Sequence, residues 1–270
     1  MNDKIFNSRK SFEKLGNVYE KSRNVTINQK IIQNVNCYWF RPEKETNKLI
    51  IYLHGGCFVL GSVKSHQSLV SHLSEHLALP ILFIEYSLAP KKPFPSAIDD
   101  IENVYKQILA EYHAHDIILI GDSAGSGLAI SVLSRLTEKD IRSPANLVML
   151  SPWIDLTCQN NSLIENKDHD PVLTKQALQN YTSMYIGNAN LSDVNPIETI
   201  NERFPPTLIL VGSGEILLDD SKSIHNKIAG LQEKVKLTIY ENQNHVWMLE
   251  NIHSEESKKA IKEIKEFISC

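Results

Sequence analysis

Cysteine is scarce in this chain. Its 270 residues hold 4, Cys37, Cys57, Cys158 and Cys270, and no pair stands at Cys-x-x-Cys spacing. That leaves neither a zinc-ligand pattern nor a disulfide framework, so reduced thiols are expected. Long apolar runs are missing as well: nowhere do ~18 consecutive apolar residues occur, the length a membrane-spanning helix needs, and no membrane insertion is expected. Residues 1–10 carry no apolar stretch of the kind a secretory signal uses, which together with the thiols makes the cytoplasm the expected compartment. An excess of charge of one sign is also lacking. Lys plus Arg total 28 against 32 for Asp plus Glu, a net charge of −4, and with no basic patch nucleic acid is not an expected partner. Repeats, low-complexity tracts and linkers are absent, and a chain of this length can bury one large core, so residues 1–270 are expected to form a single domain.

Strand and helix patterns alternate along most of the chain, which predicts an α/β fold with a mostly parallel central sheet and helices on both faces. Residues 48–53, 116–120, 208–212 and 235–240 read as strands. Ile98, Ile101, Val104, Tyr105, Ile108 and Leu109 form one helical stripe, and Ala260, Ile261, Ile264, Phe267 and Ile268 another; both are core faces. Residues 24–29 and 36–40 are expected to form an antiparallel edge. From about residue 154 to 202 the alternation breaks. That stretch is polar apart from one helix, Lys175 to Ile186, with Thr174 as N-cap and Gly187 as stop. A segment so long inside a compact domain is usually functional.

The chemistry concentrates at Gly121, Asp122, Ser123, Ala124 and Gly125, between the strand at 116–120 and an amphipathic pattern of Leu128, Val132, Leu133 and Leu136. A serine on a sharp strand-to-helix turn needs small residues on both flanks, and Gly121 and Gly125 supply them. A Gly-x-Ser-x-Gly match alone is weak, and its company decides. Upstream, the strand at 48–53 runs into His54, Gly55, Gly56, Cys57 and Phe58. Consecutive glycines let backbone N–H groups turn toward one point, where acyl transfer develops negative charge on the carbonyl oxygen. Gly55, Gly56 and Ala124 are the expected donors of this oxyanion hole. Read alone, the loop is equally an ordinary tight turn with His54 bonded to backbone.

A nucleophilic serine also needs a base, preceded in chain order by an acid. Strand 208–212 delivers Glu215, and strand 235–240 delivers His245 on a loop, each just past the carboxyl end where open α/β sheets bind ligands. His54, His66, His72, His76, His113 and His115 precede the serine, His169 precedes the acid, and His225 and His253 fall in helical patterns, which leaves His245. His72 and His76 stand four apart on a helix but have no evident third ligand, so a solvated helix face is the expectation there.

On these motifs the chain resembles the hormone-sensitive lipase family of α/β-hydrolases, bacterial-type carboxylesterases with His-Gly-Gly-Gly and Gly-Asp-Ser-Ala-Gly. Tyr86 to Pro90, Phe94 to Asp100, Ser151 to Trp153, Phe204 to Pro206 and Glu215 to Asp219 are similar to further family segments, so the likeness covers most of the chain. It implies the α/β-hydrolase fold with a small helical cap, contributed here by about residues 1–22 and 154–202. It also implies a Ser123, His245 and Glu215 triad that hydrolyses esters through an acyl-enzyme without cofactor or metal. There are departures. Cys57 replaces a glycine, Ser87 and Lys91 replace an expected Arg and Glu, and Glu215 stands where the family has Asp, so Asp219 and Asp220 stay open as the orienting acid. Cys57, Phe58 and Trp153 are expected to crowd the substrate pocket and favour short acyl groups. Amide hydrolysis is an alternative, since kynurenine formamidases share His-Gly-Gly with Gly-x-Ser-x-Gly. A non-catalytic receptor is another, though gibberellin receptors of this fold lack the histidine that stands here as His245. The expected partner is a small-molecule ester, with a homodimer left open.

Overall fold

The computed structural model describes residues 2–200 and 204–269; Cys270 and the cap limits at Met1 and residues 201–202 lie outside them. Helix α1 (Asn2–Phe12) and a 3-10 turn (Glu13–Asn17) precede a hairpin of β1 (Val25–Ile32) and β2 (Val35–Pro42). Then follow β3 (Leu49–Leu53), α2 (Val63–Leu77), β4 (Ile81–Glu85), α3 (Ser96–Ile108), β5 (Ile117–Asp122), α4 (Ala124–Glu138) and β6 (Asn146–Leu150). The last part holds α5 (Ser162–Glu165), α6 (Lys175–Ile186), α7 (Leu191–Val194), β7 (Thr207–Gly212), α8 (Leu218–Ala229), β8 (Val235–Tyr240) and α9 (Glu255–Ser269).

One sheet contains the eight strands in the order β1-β2-β4-β3-β5-β6-β7-β8. Only the β1–β2 and β2–β4 pairs are antiparallel; from β4 to β8 every pair is parallel. Both faces of the parallel strands are covered, so their sequences are apolar without a break and successive side chains enter opposite cores. Leu49, Ile51 and Leu53 of β3 join Leu119 of β5 and Leu128, Val132 and Leu133 of α4 on one side. Ile50 and Tyr52 join Ile118 and Ile120 with Leu69 and Leu73 of α2 and Ile261 and Ile264 of α9 on the other. Helix α4 departs from the amphipathic expectation. Its residues from Ala124 to Ser134 are all buried, because it lies directly behind the central strands.

The segment after β6 holds more helix than the sequence pattern suggests: α6 forms as expected, with the Thr174 side chain accepting from the Ala177 N–H at 3.2 Å and Gly187 ending it at φ +59°. The short helices α5 and α7 flank it. These pieces are too brief for a periodicity to register, and they are held by tertiary contacts such as Ser162 N–H to Asp219 at 2.9 Å. Helical elements beyond those flanking the sheet form a cap.

Candidate active site

Parallel register brings the carboxyl ends of β3, β5, β6, β7 and β8 side by side, with Leu53 opposite Gly121, Asp122 opposite Leu150, and Gly212 opposite Tyr240. Each strand hands one residue to the same edge: His54, Ser123, Ser151, Glu215 and His245. Ser123 sits at φ +49°, ψ −122°, a strained backbone that costs about 1–3 kcal/mol and is kept only where the surroundings enforce it. Its N–H donates to Leu150 O at 2.9 Å, and its own carbonyl accepts from Ser126 and Trp153. A Cβ on Gly121 would come within 2.6 Å of Gly125 C, and one on Gly125 within 2.0 Å of Leu53 O. The turn therefore closes only with glycine at both flanks.

His245 Nε2 lies 2.9 Å from Ser123 Oγ, and its Nδ1 lies 2.8 Å from Glu215 Oε2. The other carboxylate oxygen, Glu215 Oε1, accepts from the Ser151 hydroxyl and from the Gly212 N–H, both at 2.6 Å. Since a carboxylate only accepts, Nδ1 carries the proton and Nε2 presents its lone pair to the serine. Burial pushes the Glu215 pKa up against the pull of its His245, Ser151 and Gly212 contacts. Burial by itself would lower the His245 pKa, but the hydrogen bond and charge of Glu215, with Asp170 and Asp122 adding, outweigh it and raise the imidazole above its ordinary 6.5.

Asp219 and Asp220 are engaged elsewhere. Asp219 accepts from the Ser162 N–H and pairs with Lys222 at 3.0 Å. Asp220 accepts from the N–H groups of Ile154 and Asp155, both at 2.9 Å, and from Asn160. Both anchor the segment that follows β6, and Glu215 alone of the three reaches the imidazole.

Gly55 is pressed against the serine: a Cβ there would meet Asp122 Oδ2 at 2.3 Å and Ser123 Cβ at 3.0 Å. Among the described residues no hydrogen bond takes the N–H of Gly55, Gly56 or Ala124. Three buried donors left free around one serine are what an oxyanion would need. His54 is fully buried, with Nδ1 2.7 Å from Gly55 O and its ring stacked 4.3 Å from Tyr86. Burial drives its pKa down to about 3, so it is a neutral structural ring. Asp122 is held between Tyr52, whose hydroxyl donates at 2.8 Å, and His66 at 3.4 Å.

A cavity of about 80 Å³ opens on Ser123 and His245. Cys57 and Gly56 line it, as do Phe12 and Leu15 from the amino-terminal segment, Val172 and Leu173 from the segment after β6, and Val246 and Leu249 beyond the histidine. Phe58 and Trp153 do not: they stand behind it in the core, their rings 5.3 Å apart, with Phe58 stacked 3.9 Å from Tyr185. The wall residues from the two distant segments went unread in the sequence, because nothing local marks which side chains a cap brings down. Asp170 was also unread. It accepts from Val172, Leu173 and Ile216 N–H groups and so fixes the loop that carries two of the wall residues. Ser87, where an arginine was expected, ties its N–H and hydroxyl to Asp100 at 2.9 and 2.5 Å.

Residues 50–249 match the profile of the α/β hydrolase fold family. An esterase of Acinetobacter venetianus is 36% identical over 231 residues, 84% of this chain and 76% of that protein. An acetyl-hydrolase of Streptomyces hygroscopicus is 31% identical over 226 residues, 83% of this chain and 76% of that one. The crystal structure of an esterase from the bacterial hormone-sensitive lipase family superposes with a TM-score of 0.93 at 30% identity, covering 98% of this chain and 90% of that one. With this kinship the chain is an enzyme, a serine hydrolase acting on carboxylic esters. It belongs to the α/β-hydrolase superfamily, within the bacterial hormone-sensitive lipase group of esterases and lipases.

Proposed function

We propose that this hydrolase cleaves esters of short acyl chains, with Ser123 as nucleophile, His245 as general base and acid, and Glu215 as the group that orients and supports the imidazole. The continuous chain of hydrogen bonds from Ser123 through His245 to Glu215 carries this reading. His245 takes the hydroxyl proton as Ser123 Oγ attacks the ester carbonyl; the N–H groups of Gly55, Gly56 and Ala124 receive the oxyanion. The imidazolium then gives its proton to the leaving alcohol, and water, activated by the same base, releases the acid from the acyl-enzyme. No step in this sequence calls for a cofactor or metal.

The small cavity supports a short acyl group, as does the likeness to an acetyl-hydrolase. We assign the cap to about residues 1–22 and 154–202, on the strength of Phe12, Leu15, Val172 and Leu173 in the cavity wall. Among the described residues no helix is long and apolar enough to cross a membrane, and Cys37, Cys57 and Cys158 are free and buried. The thiols support a reducing, cytoplasmic setting, and the even charge balance speaks against nucleic acid as a partner. Stoichiometric labelling by a fluorophosphonate, abolished in Ser123→Ala, together with turnover of p-nitrophenyl acetate above that of N-formyl amides, tests the reading. Ester turnover in Ser123→Ala above a tenth of wild type would overturn the nucleophile, and faster amide cleavage would overturn the substrate class.

A further inference from the structure

Helix α2 presents His72, Glu75 and His76 on one face, and one ligand atom from each lies within 4.8 Å of the other two. The expectation of a solvated face without a third ligand overlooked Glu75, which stands one residue before His76 and turns toward both rings. His72 is buried, with Nε2 3.0 Å from the Glu20 carbonyl. A carbonyl can only accept, so that contact places the imidazole proton on Nε2 and leaves the Nδ1 lone pair facing Glu75 Oε2 at 3.9 Å. Glu75 is fixed in turn: Asn24 Nδ2 donates to its Oε1 at 2.6 Å. A backbone carbonyl that sets the tautomer of one ligand and an amide that aims another form the outer support typical of metal sites.

We propose that His72, Glu75 and His76 form a binding site for a divalent transition metal of the zinc class, separate from the esterase centre. Two imidazoles with one carboxylate favour Zn²⁺ over Mg²⁺ or Ca²⁺, which take oxygen ligands. The ligands must close from 4.8 Å toward the spacing of a tetrahedral ion, a movement open to His76, which is exposed, and to the partly exposed Glu75. Neighbouring groups do not oppose the ion: Lys265 donates to the His76 carbonyl instead of entering the face, and His253 packs its ring edge-on to His72 at 5.1 Å. His253 stands in a turn just before α9, outside the helical pattern expected for it. The site joins α2 to the stretch from Tyr19 to Asn24, and Tyr19 reaches the Met248 carbonyl at 2.7 Å.

Titration calorimetry with Zn²⁺, and electron paramagnetic resonance with Cu²⁺ in its place, test the site. Wild-type protein should bind Zn²⁺ with its melting temperature raised, show no response to Mg²⁺, and give a Cu²⁺ spectrum with two coordinating nitrogens. His76→Ala and Glu75→Gln should each weaken Zn²⁺ binding by about tenfold or more, the least that loss of even an outer-shell partner costs. Both should keep wild-type ester turnover. The surface pair His113 and His115, stacked at 5.2 Å, serves as control, and a His113→Ala, His115→Ala double variant should bind like wild type. Zn²⁺ affinity unchanged in both His76→Ala and Glu75→Gln, loss of binding only in the control variant, or no binding to wild type would overturn the proposal.

Discussion

The Ser151 hydroxyl donates to Glu215 Oε1 at 2.6 Å and accepts from the Val246 N–H at 3.0 Å, so one side chain ties the acid to the residue following His245. Glu215 is fully buried, and a buried carboxylate stays ionised only while its donors hold it. Ser151→Ala should lower kcat by roughly tenfold to a hundredfold, the range for a hydrogen bond to a charged group of ~1.5–3 kcal/mol. Losing the donor also makes Glu215 harder to ionise and weakens its support of the imidazolium, so the acid limb of the pH profile should move to lower pH. Kinetics unchanged in both rate and limb would make Ser151 a packing residue only.

The direction of the His245 shift fixes where that limb lies. The base acts when neutral, and its pKa is raised above 6.5 because Glu215 outweighs burial. Wild-type kcat/KM should therefore climb with pH and reach half its plateau above 6.5. A profile flat from pH 5 to 8 would remove His245 as the base.

Glu215 and Asp219 separate by the same measurements. Glu215→Gln keeps the shape but removes tautomer control and leaves burial to dominate the imidazole, so kcat should fall on the order of 10³–10⁴-fold. Asp219→Asn loses the Lys222 pair and weakens the contact to Ser162, so it should lower the melting temperature while leaving kcat within a few-fold of wild type. The reverse pattern in matched melting curves and kinetics would transfer the acid role to Asp219.

The residues legible in the sequence were those whose place follows from position along the chain. Ser123, Glu215 and His245 each follow a strand, and a parallel sheet brings consecutive strand ends to one edge, so chain order and the apolar runs were enough to expect the three side chains to meet, as they do. Glu215 against Asp219 was not separable that way, because they stand only four residues apart, one before α8 and one in its first turn, and only the imidazole's position decides. Ser151 follows β6 by the same rule, yet a serine there has no signature of its own. The cavity wall was illegible for a different reason: Phe12 and Val172 come to the same cavity from far apart in the sequence, and no local pattern marks that convergence. Phe58 and Trp153 were read as wall from their nearness to motifs, but the turn after Gly56 directs Phe58 toward Tyr185 instead.

Acyl length tests the wall itself. Cys57 lines the cavity with a buried thiol and a left-handed backbone at φ +55°, a conformation in which glycine is at ease, so Cys57→Gly removes bulk without straining the loop. Leu173 lines the same cavity. Each buried methylene gains about 0.8 kcal/mol while room remains, and overpacking reverses the gain once the chain meets the wall. In a cavity of about 80 Å³, kcat/KM for p-nitrophenyl esters should rise from acetyl to an optimum no longer than hexanoyl and then collapse. Cys57→Gly and Leu173→Ala should each move the optimum to longer chains. A wild-type rate still rising at twelve carbons would refute the short pocket. An optimum unmoved in Cys57→Gly but lengthened in Leu173→Ala would place the limiting contact on the cap and take Cys57 out of the acyl wall.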